Sequence, residues 1–581
     1  MWLLLPIVLF LTLFFLVKNK IKANNEIRPN LPPAPPKLPI IGNLHQLGSL
    51  PHISLWKLSK TYGHVMGLHF GTVPAIVVSS AEAAKEVLKT NDLACCNRPP
   101  LAGSSKLSYN NVDMSFSPYG EHWRQMRRLC AIKLFSSKSV QSFEFIRDEE
   151  IDSLNDFLNR SSVSATPVNL SVKMSTLMAS MTFRTAFGKR FSECGLDSDV
   201  FEDMVRRAMG VLRTFAASDL FPQFSWSWII DRVTGVHAKF EKIFHEMDDF
   251  FRVVIDEHLN KTPEDEKEDI VDLLLSIETG QYDSGEIHFT RDCSKAILMD
   301  IFLAGVDTAA LTVTWAMAEL AKNPRVMKKV QDEIRSYCSK KTQVKITESD
   351  INQLDYLKMV VKETLRLHPA APLLLPRECI SQFKVGGYQV YPKTLIQVNV
   401  WAIGRDPNYW HNPEEFFPER FVDNPIDFKG QQFEYLPFGG GRRGCPGIVM
   451  ALTMVERTLA NLLCGFDWKL PDGMMETDID MEEASGLTTF IDNSIDFKGQ
   501  QFEYLPFGGG RRGCPGIVMA LTMVERTLAN LLCGFDWKLP DGMMETDIDM
   551  EEASGLTTFK KSPLKLVPVS YQWPLISDLQ T

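Results

Sequence analysis

Cysteine and histidine are both scarce in this chain, with eleven of each among 581 residues, and the cysteines follow no regular spacing. That pattern argues against the disulfide framework of a secreted fold and favours reduced thiols in a reducing compartment. Basic residues are also outnumbered, 62 against 72 acidic ones, for a net charge of −10. A nucleic-acid binder normally carries a basic domain, so we expect no nucleic-acid partner.

Charge is absent from the first 17 residues, MWLLLPIVLFLTLFFLV, and three lysines follow within five positions. A secretory signal has its positive charge before the apolar run and a small-residue cleavage site after it, and this segment has neither. We therefore predict an uncleaved transmembrane anchor at residues 1–17 with the following lysines in the cytosol. A cleaved signal peptide is the alternative.

A basic and proline-rich linker is predicted at residues 18–41, because LPPAPPKLPIIGN at 31–43 holds closely spaced prolines that stiffen the backbone. The remainder, 42–581, is mainly helical by pattern. The longest helix is predicted at 291–322, which lacks proline and is apolar around most of its circumference. Strand-like pieces occur at 73–78 and 389–400, so the expected class is mainly α with minor β.

A repeat is the unusual feature of the C-terminal part. Residues 421–489 and 490–558 align at an offset of 69 and differ only at Val422/Ile491 and Pro425/Ser494. A solenoid needs three or more units, so two copies indicate one piece of a fold duplicated in tandem. Both copies contain FGGGRRGCPG, at 438–447 and at 507–516.

This decapeptide satisfies the pattern G-x-G-x-x-G, but a dinucleotide site also needs a βαβ unit with an apolar strand after the helix. The chain instead continues into FDWKLPDGMMETDIDMEE, which is acidic and interrupted by Pro and Gly. The cysteine offers a better explanation. Pro446 suits a first helical turn, which would place Cys445 at a helix N-terminus that stabilises a thiolate. A single thiolate is wrong for structural zinc and right for an axial haem ligand.

The loop resembles the signature of the cytochrome P450 haem-thiolate monooxygenases, F-x-x-G-x-R-x-C-x-G. Its residues here are Phe438, Gly441, Arg443, Cys445 and Gly447. Further motifs of that family match nearly the whole chain: WRQMR at 123–127, AGVDT at 304–308, KETLR at 362–366 and FFPERF at 416–421. The anchor and proline-rich hinge resemble the plant microsomal branch.

The resemblance implies roles for individual residues. Contacts to the haem propionates are expected from Trp123, Arg127, Arg377 and Arg443. Gly305 would leave room for oxygen and the ring, Asp307 is a candidate proton source, and the Thr308 hydroxyl would bond oxygen or water. A structural charged cluster is expected from Glu363, Arg366 and Arg420.

The implied domain is a haem-thiolate monooxygenase at 42–581 with the cytochrome P450 fold and haem b as cofactor. Its reaction inserts one oxygen atom from O2 into a small lipophilic substrate, plausible in plant specialised metabolism. Electrons would come from NADPH through a separate cytochrome reductase, because no flavin or nicotinamide module is visible in the chain. The expected location is the endoplasmic reticulum membrane, single-pass, with the catalytic domain cytosolic.

The repeat leaves two candidate iron ligands. Cys445 lies 25 residues after Arg420, the spacing of the family, whereas Cys514 lies 94 after it, so Cys445 is favoured. Two other functional interpretations stay open. One is an inactive or misfolded product of exon duplication or a faulty gene model. The other is a haem-thiolate isomerase or dehydratase, which needs no reductase.

Overall fold

The computed structural model describes eleven stretches of the chain: residues 30–163, 168–194, 197–260, 268–280, 289–339, 346–464, 466–467, 535–538, 552–553, 559–560 and 565–570. The predicted anchor at 1–17, the first part of the predicted linker and Cys514 lie outside the described residues. The first copy of the decapeptide lies within them.

Helices form most of the described chain, as the sequence predicts. In chain order they are α1 Pro51–Tyr62, α2 Ala81–Lys85, α3 Asp92–Cys95, α4 Ala102–Leu107, α5 Glu121–Lys133, α6 Ser137–Ser142, α7 Glu144–Val163, α8 Leu170–Phe187, α9 Ser198–Arg213, α10 Ala217–Leu220, α11 Ser227–Val233, α12 Val236–Leu259, α13 Ile270–Glu278, α14 Arg291–Lys322, α15 Pro324–Cys338, α16 Asp355–Leu367, α17 Val400–Ile403 and α18 Ile448–Cys464.

The strands are short. They are β1 Val65–Phe70, β2 Val73–Val78, β3 Val168–Asn169, β4 Arg377–Glu378, β5 Phe383–Val385, β6 Tyr388–Val390, β7 Leu395–Val398, β8 Phe466–Asp467, β9 Phe535–Lys538, β10 Glu552–Ala553, β11 Phe559–Lys560 and β12 Lys565–Ser570. The main sheet has the order β1-β2-β7-β4, with β2 and β7 parallel and the other pairs antiparallel.

Helix α14 lies in the centre of the fold and has the bounds that the sequence predicts. It starts where the Thr290 side chain accepts a hydrogen bond from the Cys293 amide, and it ends before Pro324. It packs against α8, α16 and α18. Among the described residues, α14 is the one helix that is long and apolar enough to cross a bilayer. However, 94% of its most apolar stretch is buried inside the protein. Its apolar character therefore serves the core.

The predicted strand at 73–78 is confirmed as β2, but the one at 389–400 is wrong in extent. Two strands, β6 and β7, occupy that region and are separated by a turn in which Lys393 has a φ of 68°. Pro392 within the segment has no amide hydrogen for a continuous ladder. Beyond β7, the Asn399 side chain accepts a hydrogen bond from the Ala402 amide and starts α17.

The terminal strand β12 pairs with strands from both copies of the repeat. Val569 lies opposite Asp467 of β8 and also opposite Asp536 of β9, in the same antiparallel sense. The β9 pairing extends over four residues of β12 and the β8 pairing over two. Equivalent segments of the two copies therefore compete for one strand.

One pair of cysteines departs from the expectation that the thiols of this chain are reduced. Cys464 at the end of α18 forms a disulfide with Cys338 at the end of α15. The sequence separation of 126 residues hides this pair, because proximity arises only when the two helices pack together. Cys95 and Cys130 are free and buried, as expected.

Candidate haem-binding site

The decapeptide forms a tight loop that requires glycine. Gly441 has a φ of 79°, and a Cβ there would lie 1.9 Å from the carbonyl oxygen of Leu88. Any side chain at this position would collide with the backbone that follows α2, so the loop can approach that segment only with glycine. Phe438 at the start of the loop is fully buried, and its carbonyl accepts a hydrogen bond from the Cys445 amide at 3.4 Å.

The Cys445 thiol is free and only 3% exposed. Helix α18 begins at Ile448, and the carbonyl of Gly447 accepts the Ala451 amide hydrogen bond at 3.0 Å. The prediction that Pro446 occupies the first turn is therefore wrong, because the helix starts two residues later. Cys445 precedes the helix cap at Gly447 rather than opening the helix itself.

Two predicted arginines hold the loop through its carbonyl oxygens. Arg127 of α5 donates from Nη2 to the carbonyl of Gly444 at 2.9 Å, and Arg377 of β4 donates from Nη2 to that of Gly440 at 2.8 Å. Both side chains are buried. Helix α5 and strand β4 therefore both hydrogen-bond the cysteine loop, although each is more than 60 residues away from it in the sequence.

The other two predicted contacts meet at the same place. The guanidinium of Arg443 lies 4.4 Å from the ring centroid of Trp123, and that of Arg127 lies 5.6 Å from it. Arg443 donates from Nε to the carbonyl of Cys96 at 2.9 Å. The structure thus brings Trp123, Arg127, Arg377 and Arg443 together around the loop.

Two residues of this cluster were missed by the sequence reasoning. Asp92, 3% exposed, accepts Nη1 of Arg377 at 2.6 Å and the amide of Arg442 at 2.7 Å. Arg98 donates from Nη1 to the carbonyl oxygens of Leu375 and Pro376, at 2.8 and 2.9 Å. Burial, together with the positive charge of Arg377, lowers the pKa of Arg98 to about 9. No local pattern marks either residue, because their partners are distant in sequence.

These residues fit haem b. Cys445 would hold the iron through its buried free thiol, and buried guanidinium groups stand beside the loop that carries it. Arg98, Arg127 and Arg443 donate to main-chain carbonyl oxygens. The two propionates of a haem are the anions that such a cluster suits.

The AGVDT segment lies mid-helix in α14. Thr308 donates from Oγ1 to the carbonyl of Ala304 at 2.5 Å, a bond within its own helix. Asp307 is 7% exposed, and its Oδ2 atom has no hydrogen-bond partner among the described residues. Burial raises the pKa of Asp307, while the charges of Arg213 and Arg206 act in the opposite direction. A buried carboxyl with a free oxygen can hold a proton and pass it on.

Gly305 does not lie where the sequence predicts, which was beside the space for oxygen and the haem ring. A Cβ on Gly305 would lie 3.4 Å from Oγ1 of Thr182 in α8, so this glycine faces a neighbouring helix rather than an open cavity. Ala304, the residue before it, is half-buried amid fully buried neighbours. Glycine at 305 allows α14 and α8 to pack closely, which is a structural role.

The charged cluster forms as predicted. Glu363 and Arg366 of α16 pair with each other, and Arg420 donates from Nε to Oε1 of Glu363 at 2.9 Å. Arg366 also donates to the carbonyls of Gly404 and Pro413. This cluster fastens α16 to the segment that leads into the cysteine loop.

A mostly apolar cavity of about 70 Å³ lies beside the arginine cluster. Residues of the segments 101–113 and 211–224 line part of it. Its lining contains Leu101, Phe116, Leu212, Phe215, Leu220 and Leu373, together with the polar side chains of Arg98 and Arg213.

Comparisons with known proteins agree with this site. The family model described as cytochrome P450 matches residues 32–495 and, a second time, residues 488–566. Cytochrome P450 71B34 of Arabidopsis thaliana is 52% identical over 494 residues, which is 85% of this chain and 97% of the relative. Cytochrome P450 71B10 of the same plant is 52% identical over 459 residues, 79% of this chain and 91% of the relative.

Among solved structures, a zebra fish cytochrome P450 with abiraterone aligns with a TM-score of 0.65. The alignment covers 90% of this chain and 100% of that chain at 21% identity. At that identity the likeness shows the fold alone.

Proposed function

This chain belongs to the cytochrome P450 family of haem-thiolate monooxygenases, and we propose that it oxidises a small lipophilic substrate with electrons from NADPH. The electrons would arrive through a separate reductase, since the sequence shows no flavin or nicotinamide module. We place the enzyme in the endoplasmic reticulum membrane through the anchor at residues 1–17, with its catalytic domain in the cytosol. The expected substrate class, a plant specialised metabolite, is supported by the relatives' source.

Cys445 is the residue that we assign to the iron. Haem b bound through a cysteine thiolate activates dioxygen at its iron and favours O–O cleavage. Around that position, Arg127 and Arg377 hold the loop, and Arg443 stacks on Trp123. These guanidinium groups would neutralise and orient the propionates, and their burial excludes water from the ion pairs.

Asp307 and Thr308 are assigned to proton handling. Burial favours the protonated form of Asp307, so the side chain is able to deliver a proton within the closed interior. The Thr308 hydroxyl gives its hydrogen to the Ala304 carbonyl, which leaves its oxygen lone pairs as acceptors on the open side. Such an acceptor can hold a water or a protonated oxygen in place.

The cavity composition supports a lipophilic substrate. Leucine, phenylalanine and proline side chains from many segments of the chain form most of its lining. An apolar molecule would lose little solvation on entering, whereas a polar one needs partners for each of its polar groups. Arg98, Ser104, Arg213 and Gln397 are the polar side chains of the lining.

The observation that carries this proposal is a buried free thiol in a loop whose flanking carbonyls are held by two buried arginines. The test is the carbon monoxide difference spectrum of the reduced full-length protein. We expect a thiolate-type band that Cys445→Ala abolishes, while Cys514→Ala and the buried control Cys130→Ala preserve it.

The opposite pattern, loss in Cys514→Ala alone, would assign the iron to the second copy. Folded wild type without the band would support the interpretation as an inactive product of duplication. Turnover that proceeds without a reductase would identify an isomerase or dehydratase instead.

A further inference from the structure

Two aspartates near the haem-binding site have no role in the proposed function. Asp113 lies in the loop between α4 and α5, and Asp300 lies on α14, seven residues before Asp307. Their exposed fractions are 1% and 8%. Positions seven apart lie on the same helix face, so Asp300 points along the side of α14 that carries Asp307. Burying two neighbouring carboxyl groups is energetically costly, so other interactions must stabilise them.

Both carboxyl groups bond the same four-residue segment, 114–117. The amides of Met114 and Ser115 donate hydrogen bonds to Oδ2 of Asp300, at 2.9 and 3.2 Å. The amides of Phe116 and Ser117 donate to Oδ1 of Asp113, at 3.0 and 2.8 Å. All four consecutive amide hydrogens of this segment therefore end on the two aspartates.

The carbonyl oxygens of the same segment point to the haem-binding side chains. Met114 accepts Nε1 of Trp123 at 2.8 Å, and Ser115 accepts Nε of Arg98 at 3.0 Å. The carbonyl of Ser117 accepts Nη2 of Arg443. In the peptide group between Ser115 and Phe116, the carbonyl accepts from Arg98 and the amide donates to Asp113. Polarisation of this group between a cation and an anion strengthens both bonds and links the acid pair to the arginine cluster.

The two carboxyl groups are neighbours, because they accept from consecutive amides of one segment, and two adjacent buried carboxyl groups do not both stay ionised. Burial raises the pKa of Asp113 well above its usual range, and the neighbouring Asp300 raises it further. Burial also raises the pKa of Asp300, to about 6. Arg98 faces Asp113 and Cys130 of α5 faces Asp300, and the nearby cation favours one ionised carboxylate in the pair.

We propose that Asp113 and Asp300 share a single proton and act as positioning residues for the propionate side of the haem. The single negative charge of the pair orders residues 114–117, and the carbonyls of that segment then fix Trp123, Arg98 and Arg443. The pair also ties α14 to the loop before α5, so the helix that carries Asp307 and Thr308 keeps its distance from the arginine cluster. This inference rests on the proposed haem site.

The test uses amide variants, which keep the shape of the carboxyl group. Asp113→Asn and Asp300→Asn each leave one carboxylate, and the new amide donates in place of the shared proton. The double variant keeps the shape and removes the charge. Asp292→Asn, an exposed carboxylate on the first turn of α14, is the matched control.

The first readout is the rate of haem transfer to an excess of apomyoglobin. We expect both single variants and the control within about twofold of wild type, and the double variant about tenfold faster, because hydrogen bonds to an ion are roughly twice as strong as neutral ones. A double variant equal to the single ones would overturn the proposal. The proposal would also be overturned if each single variant lost haem as fast as the double variant. That result would mean that both carboxylates are ionised and that each is needed.

The second readout is the infrared band of a protonated carboxyl group at neutral pH, measured with and without haem. Each wild-type-minus-single-variant difference spectrum is expected to contain one such band, because the other protonated carboxyl groups, Asp307 among them, cancel in the difference. Difference spectra without this band contradict a shared proton. Because this measurement works on haem-free protein, failure of the haem assignment and failure of the acid pair remain distinguishable.

Discussion

Arg366 donates from Nε and Nη2 to the two carboxylate oxygens of Glu363, at 2.8 and 2.9 Å, and neither side chain is exposed to solvent. Glu363 also accepts the amide of Phe417 at 2.8 Å and Nε of Arg420 at 2.9 Å. A single buried carboxylate thus joins α16 to the chain segment that precedes the cysteine loop. Its charge is acceptable in the interior because four donors bond the carboxylate, three of them at Oε1 and one at Oε2.

Replacing Glu363 by alanine is expected to lower the free energy of unfolding by about 3–5 kcal/mol, because it leaves two buried guanidinium groups without their anion. The measurement is urea denaturation of the haem-bound protein. The matched control is Glu121→Ala, which breaks an exposed i,i+3 pair with Arg124 and should cost less than about 1 kcal/mol. Equal losses for the two variants would contradict a supporting role for the cluster.

Thr308→Val is expected to lower product formation by about 10²-fold, as removal of a positioned proton-handling group typically does. NADPH consumption should continue, since electron delivery does not use this hydroxyl. Thr308→Ser should restore most of the product. Thr314→Val is the control, because Thr314 makes an equivalent bond to Ala310 at 2.8 Å in the same helix. A Thr314→Val variant as impaired as Thr308→Val would show that only helix packing was disturbed.

Asp307 should govern the alkaline limit of activity. Burial raises its pKa, so the carboxyl stays protonated until the pH passes that raised value, and a proton donor loses activity above it. Arg213 lowers this pKa, so Arg213→Gln is expected to move the alkaline limb of the pH–rate profile to higher pH. Arg206→Gln should shift it less, because Arg206 is exposed and screened by solvent. Asp307→Asn should abolish this limb, and a limb that survives unchanged would show that another group titrates.

Deletion of residues 467–535 should stabilise the enzyme and preserve its haem. It joins Phe466 directly to Asp536, so a single FDWK segment pairs with β12 and Cys514 is removed. A connection of 69 residues costs up to about 4 kcal/mol in closure entropy, which the deletion relieves. The thermal unfolding midpoint and the carbon monoxide spectrum test this expectation. A shortened chain without the thiolate band would contradict the assignment of iron to Cys445.

The sequence predicted part of the site correctly because some constraints are local. Gly441 is needed for a positive φ and a close approach to Leu88, and the spacing between Glu363 and Arg366 places both on one helix face. The start of α18 was misjudged, because the residues around Pro446 form a loop held by Arg127 and Arg377 from elsewhere in the chain.

Sequence by itself determined the family and the long apolar helix α14, because periodicity and motif spacing depend only on neighbouring residues. Tertiary structure alone decided which way Gly305 faces, how Arg98 and Asp92 complete the arginine cluster, and that Asp113 meets Asp300. It also placed segments of both repeats against β12. Such contacts join residues separated by tens to hundreds of positions, and they arise only when the packed core brings those segments together.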